Sequence, residues 1–358
     1  MFLLLPRLMQ RMKHIILSLV FLFSAISCAQ NNNSNSYQVT CIGFYNVENL
    51  FDTINTTDVN DEDFTPKGLN KWDSKKYIEK LDRLAEVISL IGIDHTPDGP
   101  AVLGLAEVEN KNVVYDLTQH ARIKSRGYQI VHYDSPDKRG IDVALIYQPK
   151  YFKVESSSTH TLTIPGKDDF FTRDMLLVSG KFMGERTHFI VAHWPSRRGG
   201  EKRSSPLREA AGLLAKSIID SITLAEGENA KVIFMGDLND DPVNKSVRLN
   251  MNSKGNTAQV MTGSMFNPFE ELYKKGIGSL AWQDTWNLFD QILMTPAFVL
   301  SQSGFYFHKA FVFNKAFLTQ KDGRFKGYPW RSFAGGSYLA GYSDHFPTFI
   351  LLKKKVEN

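Results

Sequence analysis

The chain has 358 residues, 42% hydrophobic and 22% charged, the balance of a globular protein. Three of the cations behind its formal charge of +4, Arg7, Arg11 and Lys13, fall in residues 1–30, which hold no acid. The remainder is near neutral, so net charge is silent about a polyanionic partner, and two cysteines exclude a disulfide scaffold.

In chain order, the first predicted element is an export leader. Arg11, Lys13 and His14 precede the apolar run "IILSLVFLFSAIS", which small residues and Cys28 follow. The run is short for a membrane span. Cleavage has two readings: a peptidase site at Ser27-Cys28-Ala29, or a lipobox over Ala25–Cys28 with Ala25 where leucine is usual. The second makes Cys28 a lipid anchor. The expected location is periplasmic, outer-membrane lipoprotein or secreted. Residues 1–30 read as leader, 31–37 as polar tether and 38–354 as one α/β catalytic domain. Within that domain Cys41 has no cysteine to pair with, so stability must come from a core.

Strands are predicted at "YQVTCIGFYN", "PAVLGLAE", "DVALIYQP", "MLLVSGKF", "THFIVAHW", "KVIFMGD", "FDQILMT" and "FPTFILLK", apolar or β-branched runs bounded by Gly, Pro or Asp. Between them, "KKYIEKLDRLAEVISLIG" places Ile78, Leu81, Leu84, Ile88 and Ile91 on one helical face, with Gly92 as the stop. "SPLREAAGLLAKSIID" predicts a helix with Ser205 as N-cap and Pro206 at its first position. Residues 250–281, rich in Asn, Gly and Ser with a short "NPFEELYKK" helix, read as a surface insertion.

Six of these segments meet a polar cluster at a strand end: Asn46 and Glu48, Glu107, His193, Asp237 with Asn239, Asp290, and Asp344 with His345. One such cluster is an ordinary turn. Six in one chain predict that the ends share an edge and converge on a cleft. Carboxylates, amides and histidines without cysteine suit a hard cation such as Mg²⁺ or Mn²⁺. Asp290 could fix the tautomer of His345, forming an acid–base set. There is no HExxH, no phosphate loop ending in Gly-Lys-Ser/Thr and no G-x-S-x-G elbow, which argues against a zinc peptidase, an ATPase of that type and a serine hydrolase.

The ordered motifs "NVENLF", "AEVEN", "HWPSRRGG", "GDLND", "FDQILM" and "SDHFP" resemble the endonuclease/exonuclease/phosphatase superfamily over about residues 40–350. That resemblance implies a four-layer α/β sandwich, two packed mixed β-sheets flanked by helices, and metal-dependent phosphoester cleavage. It assigns Glu107, Asn46 and Asp344 to the metal. Asp237 becomes the base, Asn239 the amide holding phosphate and water, His345 and Asp290 the histidine–carboxylate pair, and His193 a second histidine on phosphate. Arg173 and Arg197 become phosphate-binding. Glu48 matches an acid present in only some relatives, and Ala106 replaces the glutamine that many carry before the metal-binding glutamate.

Other polar residues read as scaffold. His95, His120, His132 and His160 are expected at the surface or core edge, and "NDEDF" in a solvated loop. Asp142 could orient His193 or cap its strand. "SRRGGEKRSSPLR" carries five cations, and Lys309–Arg331 carries six interleaved with aromatic residues. Such segments suit phosphate contact and base stacking, although the aromatics could equally face the core. Nucleic acid is the expected substrate, lipid head groups or small phosphoesters the alternative; "YPWRSFAGGSYLAGY" could make an exposed hydrophobic hairpin for the latter. No protein partner is implied.

Overall fold

Near-continuous apolar runs make strands that must be covered on both faces. The computed structural model describes residues 36–301 and 303–356 and shows how they are covered. Ten strands precede residue 270: β1 Tyr37–Leu50, β2 Pro100–Val108, β3 Gln129–His132, β4 Asp142–Tyr147, β5 Phe152–His160, β6 Met175–Phe182, β7 Glu185–His193, β8 Val232–Asp237, β9 Ser253–Lys254 and β10 Met265–Phe266. Seven follow: β11 Leu280–Trp282, β12 Thr285–Asn287, β13 Asp290–Met294, β14 Tyr306–Val312, β15 Phe333–Ala334, β16 Ser337–Tyr338 and β17 Thr348–Lys355. One mixed sheet runs β14-β17-β1-β2-β4-β3 and the other β5-β6-β7-β8-β13-β10-β9; β11–β12 and β15–β16 are small hairpins.

Side-chain alternation sorts each strand between two cores. Ile42 and Phe44 of β1, Val102 of β2 and Leu145 of β4 face Val178, Phe189, Val191, Met235 and Ile292 of the other sheet. The alternate residues Cys41, Tyr45, Leu103, Leu105 and Ile146 lie beneath the helices Ser74–Leu90 and Lys111–Gln119. On the far side Ile190, Ala192, Phe234 and Leu293 meet Ala211, Ala215, Ile218 and Ile219 of the helix Glu201–Glu226. The result is the four-layer sandwich, helix–sheet–sheet–helix. Gly104 is needed for the close approach of the sheets: a Cβ there would stand 2.7 Å from Met235 Sδ.

Strand direction gathers the polar ends. β1 and β2 are parallel, as are β7 and β8, so Asn46, Glu107, His193 and Asp237 finish at one edge. β13 is antiparallel to β8 and starts there, pairing Asp290 with Asp237.

Several expectations need correction. Residues 250–281 are not a surface insertion: β9 and β10 extend the second sheet, and Met265, Phe266 and Phe269 are buried. Its low apolar content hid two-residue strands that rely on their neighbours. The helix expected from Ser205 begins at Glu201 after Gly200, leaving Pro206 inside it. Ile78 is 63% exposed while Leu81, Leu84 and Ile88 are buried, so the buried stripe of that helix is narrower than the spacing suggested. Residues Gln38–Lys354 form one compact unit. The leader, with Cys28, and tether residues 31–35 lie outside the described residues. Among the described residues no helix is long and apolar enough to cross a membrane.

Candidate active site

The strand ends are shaped by their own polar side chains. Glu48, Asn49, Glu107 and Asn239 all have left-handed backbone, with φ of 51°, 54°, 65° and 50°. For non-glycine residues that conformation costs about 1 kcal/mol or more each. Local hydrogen bonds offset it: Glu48 N donates to Asn46 Oδ1 (3.0 Å), Asn49 N to Glu107 Oε2 (3.0 Å) and Asn239 N to Asp237 Oδ1 (2.9 Å). The chain thus bulges near the ends of β1 and β2 and turns after β8, and each acid or amide is fixed by that local geometry.

Asp237 is the hub. Its Oδ2 accepts from Asn46 Nδ2 (3.0 Å) and stands 3.5 Å from His193 Nε2 and 3.9 Å from His345 Nε2. His193 Nε2 also lies 3.9 Å from Glu107 Oε1. His345 Nδ1 bonds Asp290 Oδ2 at 2.7 Å, and Ser279 Oγ donates to the same oxygen. Burial pushes the Asp237 carboxyl up to about 6, with Asp290 adding and His345 opposing. The two histidines diverge. Burial alone would lower His345, but Asp290 and Asp237 carry it well above the usual imidazole range. Burial and the cations Arg173 and Arg139 hold His193 well below that range. Burial and neighbouring charge therefore shift Asp237 and His345 upward and His193 downward at the same edge.

Asp344 lies beside His345, with Oδ2 on Arg331 Nη2 (2.9 Å) and Oδ1 3.9 Å from His345 Nε2. Glu48 is drawn inward: Oε2 accepts from Ser332 N (2.7 Å) and stands 3.9 Å from the buried Lys80 Nζ. Burial, then Asp344, pushes its carboxyl up to about 7. Arg173 is buried behind His193, donating to Asp137 (3.0 Å) and to the carbonyl of Trp194 (2.5 Å). Asn239 Nδ2 donates to that same carbonyl at 3.0 Å. Arg197 does not join the group. Its guanidinium donates to the Asn239 carbonyl (2.9 Å), bridges Asp240 and Asp241 (3.3 Å each) and stacks over Phe289, bracing the loop after β8. Asp142 is not the orienting partner of His193: it stands 3.1 Å from His132 Nε2 and accepts from Ser135. His132 thus sits at the core edge, on the edge strand β3, with its side chain enclosed. Ala106 points into the inter-sheet core, so no side chain there backs Glu107 by a hydrogen bond.

Sequence reasoning missed Ser279, Ser343 and Lys80. Ser343 Oγ donates to the Asn46 carbonyl (2.7 Å) and accepts from His345 N (3.1 Å), tying the segment before β17 to β1. Its position two residues before His345 was the available signal. Ser279 lies in the segment taken for an insertion. Lys80 sits on an amphipathic helix where a lysine reads as solvated.

The donor set fits a hard cation. Glu107 Oε1 accepts no hydrogen bond among the described residues, and the carboxylate, amide and imidazole side chains gathered at this edge include no thiolate. Asp237, Asp290 and His345 also cluster closely enough to hold a metal. There His345 Nδ1 is committed to Asp290 and the ring favours its proton, which leaves it a poor metal ligand.

A free carboxylate oxygen and a histidine–carboxylate contact thus meet at one edge of a double-sheet sandwich. The chain belongs to the Endonuclease/Exonuclease/phosphatase family, whose model matches residues 41–354. Among solved structures it is similar to D. rerio TDP2 complexed with single-strand DNA product (16% identity, 88% of this chain and 99% of that one, TM-score 0.54). It is also similar to the Bacteroides thetaiotaomicron mannosyl-6-phosphatase Bt3783 (15%, 87% and 99%, 0.52) and to the human Nocturnin catalytic domain with bound sulfate (16%, 90% and 98%, 0.52). No curated protein sequence matches.

Proposed function

We propose that the protein is a divalent-metal-dependent nuclease, hydrolysing nucleic-acid phosphodiesters by in-line attack of water. The observation that carries the chemistry is the buried Asp237 carboxylate between His193 and His345, braced by Asn46. Asp237 takes the proton of the attacking water, its affinity for that proton raised by burial. His345, held by Asp290, donates from Nε2 to a phosphoryl oxygen, and neutral His193 contributes a second donor. Asn239 positions the phosphate. Glu107 and Asp344, with Asn46, would hold Mg²⁺ or Mn²⁺, which when bound neutralises charge on the phosphate oxygens.

The choice of polymer rests on the surroundings of Asp344. Of the aromatics in Lys309–Arg331, Phe311 and Phe313 pack against the core. Phe325 and Tyr328, however, line a cavity of about 210 Å³ with Trp282, Arg324, Arg331 and Asp344. Aromatic walls and guanidinium groups beside the reacting phosphate suit a stacked base. The hairpin β15–β16 lends no support to a lipid substrate: Phe333 and Tyr338 pack on Trp72 instead of projecting. The test is a screen with Mg²⁺ or Mn²⁺ against plasmid DNA, RNA, sphingomyelin and bis-p-nitrophenyl phosphate. Cleavage of DNA or RNA is expected; hydrolysis of sphingomyelin alone replaces this reading with a lipid phosphodiesterase.

We also propose export, motivated by the basic-apolar-small leader, either by simple cleavage or with Cys28 as lipid attachment point. Fractionation of expressing cells checks it. Cytoplasmic protein with an intact leader refutes export, and unchanged membrane association of Cys28→Ala refutes lipidation.

A further inference from the structure

A second concave surface, distinct from the aromatic cavity, is lined in part by Arg173 and the segment that follows β7. It has a volume of about 700 Å³, and its lining includes Arg139, Lys167, Arg173, Arg198 and Arg203, with Asp137 as its one acid. Arg173 and Arg139 are matched to Asp137. Lys167, Arg198 and Arg203 have no ion-pair partner among the described residues, so three cations converge on this groove unneutralised. The helix Glu201–Glu226 also opens here. Its N-cap is Gly200, φ 101°, and no side chain caps its first amides. Two buried polar atoms of the lining, Arg173 Nε and Thr172 Oγ1, have no hydrogen-bond partner. Free cations and uncapped helix amides together favour an anion. The Trp194 carbonyl, which Arg173 and Asn239 both hold, links this wall to the scissile-phosphate region.

We propose that this groove is a second phosphate subsite, which Arg198, Arg203 and Lys167 build to hold the phosphate next to the scissile one in a single-stranded oligonucleotide. The inference rests on the nuclease reading. It adds that the chain distinguishes a polyanionic strand from a lone phosphoester, and that the discriminating residues lie outside the reacting centre. Arg197, which the sequence offered for phosphate contact, is spent on Asp240 and Asp241; its neighbour Arg198 is free.

The test uses the mature protein and an Arg198→Ala/Arg203→Ala double variant, both positions exposed, so that the fold is not at risk. Binding of a fluorescent single-stranded oligothymidylate octamer is measured by anisotropy across a salt series. The variant should bind about tenfold more weakly, and its log K against log[salt] slope should flatten by about one. Its kcat/KM for the octamer relative to bis-p-nitrophenyl phosphate should fall by a similar factor. Arg198→Lys/Arg203→Lys should keep the wild-type slope, because charge is retained. Unchanged octamer affinity and slope in the alanine variant overturn the subsite while leaving the nuclease reading intact. A wild type that turns over bis-p-nitrophenyl phosphate but neither binds nor cleaves the octamer overturns the reading itself. Loss of binding to anionic phosphatidylglycerol vesicles with octamer binding intact also overturns the proposal.

Discussion

β7 carries one histidine at its C-terminal end and another toward its N-terminal end, and they behave differently. His193 closes the strand among Asp237, Glu107 and, across the edge, His345. His188, five residues earlier, bonds Ser179 Oγ at 2.7 Å through Nδ1 and Glu226 Oε2 at 2.9 Å through Nε2. Serine, histidine and glutamate are the parts of a hydrolytic triad, yet in a triad the acid holds Nδ1 and the serine faces Nε2. Here the order is inverted, Ser179 is buried on the neighbouring strand, and Glu226 is tied to Arg186. All three groups come from one sheet and the helix over it. At the other end both sheets deliver strand ends to the same place. A buried histidine–acid contact satisfies polar groups wherever it occurs; it becomes a site where unspent donors and acceptors from separate layers face one another.

The sharpest way to break this comparison is Glu107→Gln. The change keeps shape and removes charge, so kcat on bis-p-nitrophenyl phosphate should fall by roughly 10³-fold, the several kcal/mol expected for a cation's share of charge stabilisation. Circular dichroism should be unchanged. Chelator should abolish wild-type activity and Mn²⁺ restore it; full turnover in chelator would remove the metal from the reading.

Next comes the histidine–carboxylate contact. Asp290→Asn and His345→Ala should each cost about 10²–10⁴ in kcat, and the double variant little more than either. Additive losses would mean the 2.7 Å contact does not act as a unit.

At the opposite end, His188→Ala should leave kcat alone and lower stability by about 1–3 kcal/mol, since the buried Ser179 hydroxyl loses its partner. Urea unfolding and a turnover assay on the same preparation decide. A drop in kcat with stability intact would make the two ends equivalent and undo the distinction drawn here.

The sequence displayed the functional end because each acid or amide borders an apolar run long enough to be read as a strand. β1, β2, β7, β8 and β13 were all visible as such runs, and two-residue punctuation at their ends announced Asn46, Glu107, His193, Asp237 and Asp290. Elements held by their neighbours were not visible. β5 is largely exposed and polar, "FKVESSSTH", and is held by its pairing with β6. β9 and β10 are two residues each. Side-chain commitments were hidden as well. Nothing local distinguishes Arg197, engaged by two aspartates, from Arg198, which is free, and nothing local marks Asp142 as the partner of His132 instead of His193. Those choices depend on which loop folds back, which is a tertiary outcome.

The smallest effect tests the electrostatics of the scaffold end. Burial raises the Glu226 carboxyl, but the bonds from His188 and Arg186 outweigh it and leave it below its ordinary value. A carboxyl with a depressed folded-state pKa binds its proton more tightly when unfolded. Its stabilisation is therefore present above the ordinary glutamate range and is lost as pH falls through the lower folded value. The side chain is well exposed to solvent, so the contribution is screened and should not exceed about 1 kcal/mol. Glu226→Gln should accordingly be slightly less stable than wild type at pH 7, with the gap narrowing below about pH 4.5 and also in 0.5 M NaCl. Urea midpoints for the two proteins at pH 7 and pH 4 measure it. A gap that widens on acidification would reverse the sign of the pairing, and a loss of kcat at pH 7 would place this end of β7 in the reaction.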